Sequence, residues 1–141
     1  MRIFCDSSFL VAFRHSGDPY HLQAKQIVTE RLAELQPCWL VITDYVFDET
    51  VSVLKSRASG STAIETARCL LSREFDLQFV DEKLFNEAVD VFTRYGDKEW
   101  SFTDCTSYAW IKRFKPDYVL ATDEDFEQFG LAPRNLMREA P

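Results

Sequence analysis

The sequence predicts an α/β domain with a mostly parallel central sheet flanked by helices. Three observations carry that expectation. Short apolar runs suited to strands alternate with longer helical patterns from end to end. Gly numbers only four and Pro five, which disfavours a turn-rich all-β fold. The chain has 141 residues, 46% of them hydrophobic, with twelve Phe and three Trp, enough for one sizeable core. No internal repeat or linker is evident, so one domain over residues 1–141 is expected.

The chain opens on a strand, Ile3-Phe4-Cys5, ending at Asp6. A short helix follows from Ser8 to Arg14. Ser16-Gly17-Asp18-Pro19 is a turn, with Pro placed for a first helical turn. From Tyr20 to Leu35, Leu22, Ala24, Ile27, Val28, Ala33 and Leu35 approximate one helical stripe, and Pro37 lies just beyond. Trp39 to Ile42 is apolar throughout and suits a strand covered on both faces. Thr43 starts a helix through about Lys55, and Ser59-Gly60-Ser61 breaks the chain. Thr62 with Glu65 matches a capping box for a helix to about Glu74. Leu77 to Val80 is a third strand. Glu82 to Tyr95 is a helix, with Gly96 at its C-terminal cap. Trp100 to Asp104 leads into a helix ending near Phe114, and Pro116 marks the stop. Tyr118 to Ala121 is a fourth strand, followed by Thr122-Asp123 and a short helix, Glu124 to Phe129, ending at Gly130. The tail is too short to assign.

Parallel sheets bind ligands beyond the carboxyl ends of their strands. Asp6 ends the first strand and Asp123 the fourth. Asp104 lies in the first turn of the helix preceding the fourth strand, and Glu49 two turns into the helix after the second. Four acids distant in sequence can therefore meet at one sheet edge. Each also has a bland reading. Asp6 is a favoured N-cap residue, and Asp104 completes a capping box with Ser101. Thr122 with Asp125 has the same spacing, which ranks Asp125 below Asp123. Glu49 could be a solvated helix residue, but Val46, Phe47, Val51, Val53 and Leu54 leave little polar face around it.

Net charge is −7 and the pI about 4.8, without the basic average usual for a phosphate-binding protein. Clustered carboxylates raise one another's pKa unless a cation compensates. Oxygen donors without His or Cys suit Mg²⁺ or Mn²⁺. Two such ions would offset four of the seven net negative charges. Cys5, Cys38, Cys69 and Cys105 form no C-x-x-C pair, and His15 and His21 lie far from them, so zinc spacing is absent. With no signal peptide, a cytoplasmic, reducing compartment and free, mostly buried thiols are expected. No apolar run approaches the length of a membrane span.

The ordered set of motifs resembles a PIN domain, specifically a VapC-type toxin ribonuclease. The resemblance begins at Asp6-Ser7-Ser8-Phe9-Leu10 and continues through Asp18-Pro19-Tyr20-His21 with Ala24. It includes Asp48-Glu49, Trp100-Ser101-Phe102-Thr103-Asp104-Cys105, and Leu120 to Phe126 with Gly130. One departure is that Asp123 follows Thr122 directly. By this resemblance Asp6, Glu49, Asp104 and Asp123 are the catalytic, metal-binding acids, with Asp125 assisting. Ser7 and Thr103 are implied as hydroxyl partners of the metals, their waters or the carboxylates. The implied activity is a Mg²⁺- or Mn²⁺-dependent endoribonuclease leaving a 3′-hydroxyl and a 5′-phosphate. The resemblance also implies a small VapB-like antitoxin partner and a homodimer. His21 is read as structural, since one histidine makes no metal site.

Fold alone does not settle substrate. A non-toxin nuclease in RNA processing, a silent RNA- or protein-binding module and an acidic α/β phosphatase are the alternatives. Four mutually repelling acids argue against the silent module. The Ser7-Ser8-Phe9 that follows Asp6 departs from the second Asp a phosphatase would carry there. A basic rim for substrate is expected from Arg14, Lys55, Arg57, Lys112, Arg113 and Lys115. The many aromatics are expected to leave an exposed patch for a partner.

Overall fold

A computed structural model describes residues 1–139; residues 140 and 141 of the expected domain lie outside the described residues. Five parallel strands form one sheet in the order β3-β2-β1-β4-β5. They are β1 (Arg2–Cys5), β2 (Trp39–Thr43), β3 (Phe75–Gln78), β4 (Tyr118–Leu120) and β5 (Arg134–Asn135). The helices are α1 (Ser7–Arg14), α2 (His21–Gln26), α3 (Leu32–Glu34), α4 (Asp44–Arg57), α5 (Gly60–Leu70), α6 (Glu82–Arg94), α7 (Phe102–Phe114) and α8 (Asp125–Gln128). The predicted α/β class and parallel sheet are what the fold shows.

The core lies on the central strands. Ile3, Phe4, Cys5, Val41, Ile42, Val119 and Leu120 are buried, because a parallel strand with helices on both faces has no wet side. Trp110 of α7 packs its ring 5.2 Å from Phe4. Trp39 and Leu40 escape the expected coverage on both faces: Trp39 is exposed and Leu40 half-buried at the start of β2. Cys5 and Cys105 are buried, Cys38 and Cys69 half-buried, and all four thiols are free. Among the described residues no helix is long and apolar enough to cross a membrane.

Several boundaries differ from the expectation, each for a local reason. A π-helical turn, Ile27–Arg31, joins α2 to α3, and the Leu32 amide donates to the Ile27 carbonyl. That extra residue per turn aligns Ile27 with Leu32 on the buried side, while Leu22 and Ala33 of the expected stripe are exposed. Ser59, not Thr62, caps α5: its hydroxyl accepts from the Thr62 amide at 3.1 Å. The helix stops at Leu70 rather than Glu74. The third strand sits two residues earlier than predicted. Its partner β2 ends at Thr43, whose side chain caps α4, so β3 has no ladder beyond Gln78. The Val80 amide turns instead to Asp44 Oδ1 at 2.8 Å. The unassigned tail contributes β5 and a 3₁₀ turn, Leu136–Arg138.

The chain leaves β1 toward β2 and β3 on one side and returns to β4 and β5 on the other. The carboxyl ends of β1 and β4 therefore flank the switch point where parallel sheets open a crevice.

Candidate active site

Asp6 follows β1 directly and is 2% exposed. Its amide extends the ladder to the Leu120 carbonyl at 2.9 Å. One carboxylate oxygen caps α1, accepting from the Ser8 amide at 3.1 Å and the Ser8 hydroxyl at 2.6 Å. The other oxygen, Oδ1, is buried without a hydrogen-bond partner. The Ser8 hydroxyl also accepts from the amides of Thr122 at 3.0 Å and Asp123 at 3.3 Å, so one side chain stitches the ends of β1 and β4 together. Asn135 of β5 supports the same edge, with Oδ1 3.2 Å from the Ala121 amide and Nδ2 2.8 Å from its carbonyl.

Asp104 is buried in the first turn of α7. The capping box is present: Ser101 Oγ accepts from the Asp104 amide at 3.1 Å, and Asp104 Oδ2 accepts from the Ser101 amide at 3.0 Å. An aromatic cluster fixes this turn against α8. Trp100 and Tyr108 lie 4.9 and 5.1 Å from Phe129, ring to ring, and Phe126 lies 4.6 Å from Phe129. The packing brings Asp125 beside Asp104. The Thr122–Asp125 capping pattern does not form; the Asp125 amide donates to Asp123 Oδ1 at 3.2 Å. Glu49 reaches the site from α4, with the hydroxyls of Ser7 and Thr103 beside its carboxylate.

Asp6, Glu49, Asp104, Asp123 and Asp125 all line one cavity of about 930 Å³. Burial, followed by the charges of Asp104 and Glu49, pushes Asp6 up to about 7 against the pull of Ser8. Burial and then the charges of Asp123 and Asp104 push Asp125 up to about 7 as well. Glu49 is raised by burial and by Asp104, and held back by Ser7 and Thr103. Asp104 is raised by burial, against its bonds to Ser101 and Asp125. None of the five acids takes part in a salt bridge among the described residues.

Among the described residues no three His, Cys, Asp or Glu side chains are drawn into a ready coordination cluster. Bonds to Ser8, Ser101 and the backbone fix Asp6, Asp104 and Asp123 individually on the cavity wall. Their chemistry still fits a hard divalent cation: the donors are all oxygen, and the buried Asp6 Oδ1 has an unused lone pair.

The structure does not gather the expected basic rim. Only Arg57, at the last turn of α4, lines the acidic cavity. Arg14 is engaged with Thr66 at 3.0 Å and Glu65 at 3.2 Å, and Lys55 is exposed outside the cavity. Lys112 and Arg113 line a separate cleft between α6 and α7, where Arg113 pairs with Glu87 at 2.6 Å. Lys115 ends α7 in the left-handed region at φ 47°. The reason is direction: α7 starts at the carboxyl edge of the sheet and runs to the opposite edge, so its last turn lies about 12–16 Å from Asp104. His21 is structural as expected, with Nδ1 2.8 Å from the Ala12 carbonyl.

Ser8, Lys98 and Tyr20 are among the cavity residues not anticipated, as are the acids Asp18, Asp97, Glu99 and Glu124. Ser8 had a legible signal, a hydroxyl two residues after an N-cap Asp. Lys98 and Tyr20 also line the cavity, and they come from loops that carry no periodicity to place them.

The chain resembles known proteins over most of its length. The PIN domain family model matches residues 3–131. A 23S rRNA-specific endonuclease, VapC20 of Mycobacterium tuberculosis, is 30% identical over 128 residues, covering 91% of this chain and 94% of its own. The crystal structure of VapC20, described as a Sarcin-Ricin loop cleaving toxin, superposes with a TM-score of 0.83 at 28% identity, covering 92% of this chain and 96% of that one. A chain of a toxin-antitoxin complex from Klebsiella pneumoniae shares the fold at TM-score 0.64 and 15% identity, covering 98% and 99%. This chain belongs to the PIN domain family and is a VapC-type member of it.

Proposed function

We propose that the chain is a divalent-metal-dependent endoribonuclease and the toxin of a toxin–antitoxin pair. The observation that carries this reading is the uncompensated acid cluster. Nine acidic residues line one cavity, Asp6, Glu49, Asp104, Asp123 and Asp125 among them, none in a salt bridge among the described residues, and Asp6 is almost fully buried with a free oxygen. Helix capping explains one oxygen each of Asp6 and Asp104 and nothing of Glu49. Burying such groups is costly unless a cation completes the site.

Asp6, Glu49, Asp104 and Asp123 would hold Mg²⁺ or Mn²⁺, with Asp125 assisting. When bound, such an ion supplies Lewis acidity and a water acidic enough to deprotonate near neutral pH. The protein's part is placement. Ser8 fixes Asp6 and the Asp123 loop relative to each other, the capping box fixes Asp104, and Ser7 and Thr103 partly offset the upward push of burial on Glu49. Arg57 and Lys98 give the rim two cations for flanking phosphates. Hydrolysis would leave a 5′-phosphate and a 3′-hydroxyl. The RNA substrate and the antitoxin partner come from the relatives' activities. Exposed Phe79, Phe85 and Phe92 give a partner apolar surface to cover.

Asp104→Asn tests the reading. The amide oxygen can still accept from Ser101, so the structural loss should be about 1 kcal/mol or less. RNA cleavage with Mg²⁺ or Mn²⁺ should fall by about 10²-fold or more, because charge placement is lost. Wild-type cleavage should stop in EDTA. An active Asn variant, or cleavage indifferent to EDTA, would show that these acids are helix caps and no more.

A further inference from the structure

Tyr20 is the one aromatic residue among those lining the acidic cavity. It is 37% exposed. Its backbone, not its ring, makes the local turn: the amide donates to Asp18 Oδ1 at 2.9 Å, and the carbonyl accepts from Ala24 at 2.9 Å. The ring has no part in the hydrophobic core. It is nonetheless held in place. The Arg138 guanidinium lies over it, 5.9 Å from the ring centroid, and is itself anchored to the Thr122 carbonyl at 2.8 Å and Glu127 at 3.1 Å. Thr122 precedes Asp123, so the ring is tied to the same strand end as the acids.

Tyr20 also borders two spaces. A side cleft of about 370 Å³ adjoins the acidic cavity, and Tyr20, Glu124 and Gln128 line both. A nucleobase is a flat π-surface with polar edges. It stacks on an aromatic face and takes hydrogen bonds at its rim from amide and guanidinium groups. The side cleft offers that combination in Tyr20, Gln128 and Arg138, with Glu124 and Glu127 also on its wall.

Resting on the nuclease reading above, we propose that Tyr20 is a specificity-determining residue. Its ring stacks an unpaired nucleobase next to the scissile phosphodiester. Base-paired RNA keeps its bases stacked on one another and cannot offer that contact.

The test uses the full chain with Mg²⁺ or Mn²⁺ and RNA hairpins of one stem and varied loops. Wild type should cut in the loop and leave a fully paired duplex of the same sequence intact. Tyr20→Leu should lower kcat/KM about tenfold or more, the usual weight of one base–aromatic stack. Tyr20→Phe and Tyr20→Trp should keep most of it, with melting temperatures confirming that every variant is folded. A loop carrying an abasic site at the stacked position should be cut by wild type as slowly as the intact loop is by Tyr20→Leu. Combining the two should cost nothing further, since they remove one contact. Tyr20→Leu acting like wild type, or losses that add, would overturn the stacking role and leave the nuclease reading standing. A wild type that cuts no hairpin with either metal would overturn both.

Discussion

Asp6 uses its two carboxylate oxygens for different ends. One caps α1 through Ser8; the other is buried and unpaired. The fold therefore carries an acid whose environment prefers the proton. Held at about 7 against an ordinary 3.8, Asp6 binds its proton more tightly folded than unfolded. Its contribution to stability is full below the unfolded value and is lost as pH rises through that window toward 7. Metal-free protein should thus be less stable at pH 7.5 than at pH 5, by on the order of 2 kcal/mol from this residue. Asp6→Asn removes the titrating group while keeping an oxygen for Ser8. In EDTA it should melt higher than wild type at pH 7.5 and show a flatter pH dependence, while RNA cleavage is lost. Denaturation curves at the two pH values check this. An Asn variant that keeps the wild-type slope would mean that Asp6 is not the strained group.

At the scale of elements, α4 and α7 deliver side chains in opposite ways. Glu49, Val53 and Arg57 recur every four residues along α4, and all three line the cavity. The helix thereby sets an acid near the sheet edge and a cation about 12 Å farther along. That span suits an RNA strand whose scissile phosphate lies at the acids and which meets Arg57 with a phosphate farther along, beyond the adjacent one. Only the first turn of α7 faces the site. Its Lys112 and Lys115 lie toward the other edge. Arg57→Gln should therefore raise KM and reduce the slope of log affinity against log salt by about one. Lys112→Gln with Lys115→Gln should change neither. KM measured across a salt series separates the two outcomes, and equal effects from both ends of α7 and α4 would contradict the placement.

The whole molecule places its acids at a topological switch point. β1 and β4 are neighbours with their helical connections leaving in opposite directions, and Ser8 and Asn135 close the crevice floor from both sides. Such a site exposes negative charge when no cation is bound, and a small partner with a basic side chain can fill it. Phe85, Val89 and Phe92 form an exposed row on α6, with Phe102 packed 5.3 and 5.9 Å from the two Phe rings. On the toxin reading, expression of wild type alone should arrest growth, and Asp104→Asn should not. Co-expression of a small protein encoded next to this chain should restore growth and suppress cleavage in the purified complex. Arrest that persists with Asp104→Asn would separate toxicity from the acid cluster.

Composition and periodicity determined the class of fold, because strand and helix patterns are written in neighbouring residues. The runs at Ile3, Val41 and Val119 needed no distant partner to be read as buried strands. The order of Asp6, Glu49, Asp104 and Asp123 along those elements was enough to place them at one edge. Tertiary structure decided what depends on contacts far apart in the chain. The limit of β3 was set by where β2 stops, and the phase of the α2–α3 stripe by a π turn that pairs Ile27 with Leu32. The approach of Asp125 to Asp104 required Trp100 and Tyr108 to meet Phe129. The cations were hardest to place, since a lysine or arginine has no periodic signature and its reach depends on which end of a helix meets the site. Arg57 entered the cavity, and Lys112 and Lys115 did not, because helix direction relative to the sheet is a property of the assembled fold alone.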